Sequence, residues 1–586
     1  MSTADLASAR AQALAAQQQV ITAGPPFATM ACPGAGKTRV IVERHLTRPV
    51  PARQGRAVTA FTRVAAAEVG RRCAAAGRLD LTGHPHFVGT LDTFIWLHLV
   101  RPFLPADRAW QRLDSWRDAP ARSAEFTCGQ TYHLADADFS YDPATSRWQV
   151  RPAGIAARHR QLPTGWGWHA NRTRADLERA GYLTGAELRA HACRNLADCG
   201  ARITGLLTAK YAELVVDEAQ DCSAADLYIL DQLHEAGLPL VVVADPDQAI
   251  YGFRGAAADT LIRLADRLGR LDLTHNWRST TTICQVAASL RSGPAVRAAD
   301  TAVADHHDTP HPVLVYGGAN RDTITADFID YAAALGIRPG ECLVVAHAQA
   351  TLPKAYAGAA TPPSQKAAAL AWAAGIITEY PAAPVRVRNR ARDILARTVL
   401  RWWYADADER TPAECLADHG IDPSAFERLV HRITAAMPSL DQPMRTWAPA
   451  AAAVLSQHPP AGGSSRTGTR LVCAGQADRA ARIVAKLPST AAASARPHLN
   501  TIHQVKGDQA EAVLVLMPAS AVTDRTLTAW LAGTASDLEV VEALRVVYVG
   551  VTRARRLLGL AIPASHGQPL LAAFRRLSIR AELRQA

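Results

Sequence analysis

The sequence is poor in lysine and in long apolar runs. Lysine supplies only six of the 64 basic side chains, so arginine carries nearly all of the positive charge. No stretch approaches the roughly 20 apolar residues that a membrane-spanning helix needs, so no membrane span is expected. The ten cysteines are scattered, and the N-terminus lacks the apolar core of a secretory signal. Both features favour reduced thiols and a cytoplasmic location.

The overall composition is that of a folded protein with a basic surface. Hydrophobic residues make up 48% of the 586-residue chain, which is enough for sizeable cores. This length predicts roughly three or four domain-sized units. The formal net charge of +11 favours a polyanionic partner, with nucleic acid first. Charge alone does not decide this, because an arginine-biased composition gives the same total.

One of the six lysines stands in a glycine-rich segment, ACPGAGKT, between an apolar run and a helix-like run. Gly34 and Gly36 would let the backbone direct its N–H groups toward an anion at the start of a helix. Lys37 can reach the β- and γ-phosphates of a nucleotide, and the Thr38 hydroxyl can bind Mg²⁺. The segment therefore predicts a phosphate-binding loop.

Two polar motifs follow strand-like runs later in the chain. The apolar run 211–216 leads directly into Asp217 and Glu218. Beside a phosphate-binding loop, Asp217 would hold Mg²⁺, and Glu218 would orient and deprotonate the attacking water. A second apolar run, 239–244, ends shortly before Gln248, which is placed to sense the γ-phosphate.

Four further residues complete the predicted nucleotide site. The amide of Gln17 can donate to and accept from adenine, although three neighbouring glutamines compete for this role. Trp277 could stack on adenine, and Arg278 could reach the γ-phosphate. An arginine held on a separate domain from the loop can stabilise transition-state charge when the domains close. Arg278 and Arg553 are the two candidates for this finger.

A second group of residues fits a groove for single-stranded nucleic acid. In open α/β sheets, ligands bind beyond the carboxyl ends of the strands. Aromatic rings that can stack on bases, and hydroxyl groups that can contact phosphates, occur near such ends. The group comprises Phe61, Thr62, Thr90, Phe94, Tyr251, Phe253 and Arg254. Taken singly, core packing of Phe61 and helix capping by the threonines explain these residues equally well.

The ordered motifs resemble those of the superfamily 1 helicases of the UvrD/Rep/PcrA type. The matching segments are, in chain order, ACPGAGKT, AFTRVAAAEV, GTLDTF, VVDEAQD, ADPDQAIYGFRGA, NWRS, TIHQVKG and VVYVGVTRA. The resemblance implies an α/β fold with two RecA-like parallel-sheet motor domains, each with a mainly helical insertion. The implied boundaries are 1–100 and 206–275 for domain 1A, 101–205 for 1B, 276–350 and 496–586 for 2A, and 351–495 for 2B.

The resemblance also implies an activity and a site. It implies an ATP-dependent 3′→5′ DNA helicase or translocase in repair, replication or recombination, with ATP between the motor domains. The cofactors would be ATP and Mg²⁺, and the partners single-stranded DNA and tailed duplex DNA. The implied hydrolysis residues are Lys37, Thr38, Asp217, Glu218, Gln248, Arg278 and Arg553. The other nucleotide contacts would be Gln17, Gly34, Ala35, Gly36, Arg39 and Trp277, and His503 would join the DNA-facing group.

The sequence departs from the family pattern at several positions, and two other functions stay open. Asp92 stands where the family usually has His, Val64 where it has Lys, and Trp277 where it has Tyr. One alternative is a UvrD-like ATPase subunit that regulates a partner nuclease in a phage-defence system. The other is a non-catalytic nucleotide- and DNA-binding module, against which the intact hydrolysis residues argue.

Overall fold

The structure is a computed structural model. It describes residues 3–585 except 121–122, 129, 152–160, 251–257, 292–298, 310, 354, 356–361, 381–382, 384, 405–406, 408–411, 413–414, 417–418, 461–470, 473, 488–495 and 536. The chain forms two compact units. Unit 1 comprises Met1–Val313, Ser520–Arg556 and Ala572–Ala581, and unit 2 comprises Leu314–Ala519, Leu557–Leu571 and Glu582–Ala586.

Unit 1 contains a six-stranded parallel sheet. Its strands are β1 Phe27–Ala31, β2 Gly55–Ala60, β3 Phe87–Thr90, β4 Tyr211–Val216, β5 Leu240–Ala244 and β6 Arg270–Leu273. They lie in the order β6-β1-β5-β4-β2-β3, and every pair is parallel. Parallel strands bring all their carboxyl ends to one edge, which is where α/β proteins bind ligands.

Helices cover both faces of this sheet. Successive strand residues point to opposite faces, so Leu214 and Val216 pack into one core while Val215 packs into the other. This two-sided burial explains why the central strands read as unbroken apolar runs. The helices of unit 1 outside the inserted segment are Thr3–Thr22, Lys37–Thr47, Arg63–Ala75, Leu91–Ile95, Ala224–Glu235, Ala258–Leu268, Thr281–Ser289, Ala521–Ala532 and Leu538–Val551.

A segment inserted between β3 and β4 combines helices with short strands. Its helices are Trp166–Arg179 and Gly185–Lys210. It also contains two antiparallel hairpins, Glu125–Cys128 with Gln130–His133 and Phe139–Asp142 with Arg147–Val150. A parallel pair, Gln111–Arg112 with Tyr182–Leu183, closes it. The sequence predicted the helical part but not the hairpins, because four-residue strands carry little periodic signal.

Unit 2 carries most of a second six-stranded sheet. Its strands are β7 Val313–Gly317, β8 Cys342–Ala346, β9 His498–Thr501, β10 Ala510–Leu516, β11 Ala554–Ile562 and β12 Ala581–Arg584, in the order β9-β8-β10-β11-β7-β12. The pairs β7–β11, β8–β9 and β8–β10 are parallel. Phe328, on the helix Arg321–Ala334, packs with Leu514 and Leu557 in its core. The two sheets confirm the predicted α/β fold class.

A helical segment follows β8 and has a core of its own, which includes Trp372, Leu395 and Trp447. Its helices are Lys366–Glu379, Val385–Trp403, Pro423–Ala435, Met444–Gln457 and Ala481–Val484, and the helix Ala564–Arg576 follows β11. Within the described part of the chain, no helix combines the length and apolarity needed to cross a membrane. The predicted boundaries of domains 1A, 1B, 2A and 2B stay predictions.

Candidate active site

The glycine loop after β1 has a backbone that only glycine adopts easily. Gly34 and Gly36 have φ of 75° and 90°, in the left-handed region. A Cβ at Gly34 would lie 2.5 Å from Asn276 Oδ1 and 2.6 Å from Arg278 Cβ. A Cβ at Gly36 would lie 2.9 Å from Gln17 Nε2. The loop is thus a cradle without room for side chains, and its N–H groups at a helix start fit a phosphate.

Gln17 supports this loop from the first helix. Its Nε2 donates to the carbonyl of Ala35 at 2.8 Å, and the side chain is buried. Trp277 contacts the loop from the other side, where its backbone N–H donates to the Gly34 carbonyl at 3.0 Å. The buried Nε1 of Trp277 has no hydrogen-bond partner among the described residues. An orphaned donor beside the loop is compatible with a bound base, and the adenine contacts stay predictions.

Lys37 and three carboxyl groups meet at the carboxyl ends of β4 and β5. Lys37 Nζ lies 3.9 Å from Asp245 Oδ2, and both side chains are buried. Burial and the neighbouring Glu218 raise the pKa of Asp217 to about 7, and burial raises the pKa of Asp245 to about 6. Buried carboxyl groups that resist ionisation fit a bound cation, because a cation would favour their charged forms. Asp217 and the half-buried Thr38 hydroxyl are oxygen donors of the kind that Mg²⁺ prefers.

Glu218 is held in an unusual conformation. Its φ of 54° and ψ of 39° lie in the left-handed region, which non-glycine residues rarely adopt outside functional sites. Gln220 Nε2 donates to Glu218 Oε2, while Gln220 Oε1 accepts from the backbone N–H of Asp245 at 3.0 Å. Gln220 therefore fixes the Glu218 carboxylate relative to the ends of both β4 and β5.

A chain of polar contacts joins Lys37 to an arginine near the other end of the sequence. Beyond the Lys37–Asp245 contact, Gln248 Nε2 donates to Asp245 Oδ2 at 2.6 Å. Arg553 Nη2 then donates to Gln248 Oε1 at 3.1 Å. All four side chains are buried. We call this series, Lys37–Asp245–Gln248–Arg553, the contact chain.

The second candidate arginine lies beside the first. Arg278 Nη1 donates to the carbonyl of Thr552 at 3.0 Å, and Ser279 Oγ donates to the carbonyl of Ala554 at 2.7 Å. These bonds fix the NWRS segment against the segment that carries Arg553. Burial and the charge of Arg553 lower the pKa of Arg278 to about 9. Two neighbouring guanidinium groups whose charges disfavour each other fit an anion between them.

Both arginines belong to unit 1, the same compact unit as the glycine loop. The division proposed from the sequence assigns Arg278 and Arg553 to domain 2A, apart from the loop. That division stays a prediction. The contact between Arg553 and Gln248, however, lies within one unit, so it needs no assumption about how the two units are arranged.

The predicted DNA-facing residues have structural partners where they are described. The exposed Thr62 caps the helix Arg63–Ala75, since its Oγ1 accepts from the backbone N–H of Ala65 at 3.1 Å. Thr90 caps the next helix in the same way, accepting from Thr93 at 3.2 Å. Capping explains both threonines, and their contact with DNA stays a prediction.

The other members of that group are less defined. Phe61 is half-buried, and Phe94 is fully buried in the core, which explains it by packing. Arg39, which belongs to the predicted nucleotide contacts instead, is exposed. His503 lies in unit 2, where its ring centroid is 5.6 Å from that of His347. The remaining three residues, Tyr251, Phe253 and Arg254, lie outside the described residues.

Three site residues were not predicted. Asp245 could have been found, because it follows β5 as Asp217 follows β4, at the same edge of the sheet. Gln220 and Asn276 could not have been found, since each side chain accepts hydrogen bonds from backbone N–H groups. No sequence spacing predicts such contacts. Asn276 Oδ1 accepts from the backbone N–H groups of Arg278 at 2.7 Å and Ser279 at 2.9 Å.

Asp92, which replaces the usual family His, has a structural partner. It accepts from Arg189 Nη2 at 2.8 Å, and Arg189 Nε lies 2.8 Å from Asp226 Oδ1. Arg189 belongs to the second inserted helix, Gly185–Lys210, so the pair ties that helix to the segment after β3. A neutral histidine at this position would leave Arg189 with one carboxylate fewer.

Comparison with known proteins agrees with this geometry. Residues 169–268, which include β4, β5 and their polar ends, match the family model of the UvrD/REP helicase N-terminal domain. The resemblance to the UvrD-like superfamily 1 helicases is confirmed. The two six-stranded sheets agree with the two RecA-like domains that this resemblance implies.

Individual relatives match this chain over short segments. The ATP-dependent DNA helicase srs2 of Schizosaccharomyces pombe is 32% identical over 82 residues, which is 14% of this chain and 9% of that protein. The RecBCD enzyme subunit RecB of Mycolicibacterium smegmatis is 31% identical over 93 residues, 16% of this chain and 9% of that protein. RecB of Haemophilus influenzae is 31% identical over 15% of this chain and 8% of its own length. Each match therefore spans less than a tenth of the relative.

Proposed function

We propose that this chain is an ATP-dependent DNA helicase or translocase that moves 3′→5′ along single-stranded DNA. The observation that carries the proposal is the contact chain from Lys37 through Asp245 and Gln248 to Arg553. It ties the phosphate-binding lysine to an arginine on another segment through the predicted γ-phosphate sensor. A nucleotide-driven motor requires such a connection, because loss of the γ-phosphate must alter the contacts of a distant element.

The binding roles follow from the cradle and its surroundings. Lys37 and the loop N–H groups would bind the phosphates of ATP, and Gln17 and Trp277 would lie near the base. Thr38 and Asp217 would hold Mg²⁺, which neutralises phosphate charge when it is bound. The raised pKa of Asp217 supports this assignment, since a cation would replace the missing countercharge.

The chemical roles fall to residues around that cradle. Glu218, oriented by Gln220, would accept the proton of the attacking water. Arg278 and Arg553 would stabilise the charge that develops on the transferred phosphoryl group. Gln248 would report the state of the γ-phosphate to Arg553, its hydrogen-bond partner.

DNA is the nucleic acid on which we propose that the chain moves. Its similarity to the UvrD/REP helicase domain and its net charge of +11 support this proposal. The proposed DNA contacts are Phe61, Thr62, Thr90, Tyr251, Phe253, Arg254 and His503.

The test is phosphate release with and without single-stranded DNA, and strand separation on 3′-tailed, 5′-tailed and blunt duplexes at stated salt. We expect DNA-stimulated hydrolysis that Lys37→Ala abolishes, and unwinding of the 3′-tailed duplex alone. Preference for the 5′-tailed duplex would contradict the polarity, and hydrolysis by Lys37→Ala would contradict the site.

A second candidate is an ATPase subunit that regulates a partner nuclease, as in a phage-defence system. The observation that favours it is that several similar proteins are themselves subunits of a larger enzyme, RecBCD. This candidate predicts DNA-stimulated hydrolysis with little strand separation by the chain alone. Co-purification of a nuclease from the native host, together with restored DNA cleavage on mixing, would support it over an autonomous helicase.

A further inference from the structure

Arg291 lies outside every motif recognised in the sequence, yet it is surrounded by polar groups. Its side chain is 8% exposed, and Nε lies 3.1 Å from Asp247 Oδ2. Nη2 donates to Asp300 Oδ2 at 2.6 Å and to the hydroxyl of Tyr548 at 3.2 Å. The guanidinium carbon is 5.7 Å from the centre of the Tyr548 ring. A largely buried arginine that pairs with two carboxylates and a phenol holds together the elements that supply them.

Two of these partners are next to the proposed hydrolysis residues. Asp247 immediately precedes Gln248 in the turn after β5. Tyr548 is fully buried on the helix that leads to Arg553, and the carbonyl of Val549 on that helix accepts from Arg553 Nε at 3.0 Å. The turn and the helix are therefore connected by the direct Gln248–Arg553 bond and by a second path through the buried arginine.

The two paths have different chemistry. The direct bond joins a neutral amide to Arg553 and can be exchanged for a bond to a phosphate oxygen. The path through Arg291 joins a cation to Asp247 and to the phenol of Tyr548. It contains an ion pair between Arg291 and Asp247, whereas the direct path joins Arg553 to an uncharged amide. The second path can therefore hold the spacing of turn and helix while the first path exchanges.

We propose that Arg291 is a positioning residue for phosphoryl transfer, which holds the Gln248 turn and the Arg553 helix in the spacing that aims Arg553 at the γ-phosphate. This inference rests on the proposed ATPase function. Arg291 acts through its contacts with Asp247 and Tyr548. Its removal should therefore slow hydrolysis without weakening ATP binding.

The test is a double-mutant cycle in the full-length chain. Arg291→Gln is made in the wild type and in Arg553→Ala, and kcat and KM for ATP are measured with saturating single-stranded DNA. We expect Arg291→Gln to lower kcat about tenfold in the wild type, with KM unchanged, within the coupling known for contacting groups. In the Arg553→Ala background, the same substitution should change kcat little, because the group that it positions is already absent.

Three further variants separate positioning from simple stabilisation. Arg291→Lys keeps the charge and should restore part of kcat, and Tyr548→Phe removes only the hydroxyl and should reduce kcat less than Arg291→Gln. Arg174→Gln is the matched control, because Arg174 is 9% exposed and pairs with Glu178 at 3.0 Å in the inserted segment. It should lower the melting temperature while leaving kcat per folded molecule unchanged.

The outcomes distinguish this inference from the function on which it rests. If the wild type does not hydrolyse ATP, the proposed function fails and the inference fails with it. If the wild type hydrolyses ATP but Arg291→Gln lowers kcat equally in both backgrounds, only the positioning role is overturned. An unchanged kcat in folded Arg291→Gln would overturn it as well.

Discussion

Two acidic residues four positions apart on and after β4 have opposite electrostatic environments. The fully buried Glu213 accepts from Arg44 Nη2 at 2.6 Å, Arg56 Nε at 2.5 Å and Arg48 Nη1 at 3.1 Å. Burial alone would raise the pKa of Glu213, but these three arginines outweigh it and hold the pKa below its usual value. Asp217, equally enclosed, has its pKa raised to about 7.

The difference separates a structural carboxylate from one that has no ion-pair partner among the described residues. Burial acts on both in the same direction, so the supply of cations decides the outcome. Arg44 also donates to the carbonyls of Val20 and Ile21, at the end of the first helix. Glu213 thus joins that helix, the helix after the glycine loop and β2. Asp217 joins no other element by an ion pair that the structure describes, which suits a metal ligand.

The largest of these effects on ATP hydrolysis is expected when the acid that follows Asp217 is replaced. Glu218→Gln should lower kcat for ATP hydrolysis by about 10²–10⁴-fold, because an amide cannot accept the proton of the attacking water. Nucleotide affinity should be retained, since Lys37 and the loop are unchanged. Steady-state phosphate release and titration with a fluorescent ATP analogue measure the two quantities. Hydrolysis at the wild-type rate would refute this role of Glu218.

The structural acid should show the reverse pattern. Glu213→Gln should lower the free energy of unfolding by about 3–5 kcal/mol, because the buried Arg44 and Arg56 and the half-buried Arg48 lose their countercharge. Hydrolysis per folded molecule should be unchanged. Urea denaturation and a rate normalised to folded protein test both statements. Full stability in this variant would show that the arginine cluster is not what holds these elements together.

A third prediction concerns pH and Mg²⁺. A raised pKa means that Asp217 keeps its proton up to about pH 7, whereas Mg²⁺ binds only the ionised form. The Mg²⁺ concentration for half-maximal hydrolysis should therefore rise about tenfold per pH unit below pH 7 and level off above it. Titrations of Mg²⁺ between pH 6 and 8.5 measure this dependence. A half-maximal concentration that is constant over this range would contradict the assignment of Asp217.

The smallest expected effect separates the two readings of Thr62. Thr62→Ala removes the cap of the helix Arg63–Ala75 and should cost about 1 kcal/mol of stability. Thr62→Ser should restore the cap. If Thr62 also contacts DNA, the affinity for single-stranded DNA should fall in the alanine variant and recover in the serine variant. Unchanged DNA affinity in Thr62→Ala would leave capping as the sole role.

The parts of this protein that could be predicted are those with a local signal. β1, β4 and β5 were predictable because strands buried on both faces form continuous apolar runs. Lys37, Asp217 and Glu218 could be named because their motifs follow such runs directly. The Gln248–Arg553 bond could not be predicted as a distance, since it depends on how helices far apart in sequence pack. The same holds for Arg291, whose partners come from three separate segments.

The most direct test of the central claim is the single-turnover rate of phosphate release by the wild type and by Arg553→Ala, at saturating ATP with single-stranded DNA. If Arg553 completes the site through the contact chain, the substitution should slow this step by about 10³-fold or more while ATP affinity stays close to that of the wild type. A single-turnover rate within a few-fold of the wild type would show that Arg553 takes no part in hydrolysis and would contradict the account.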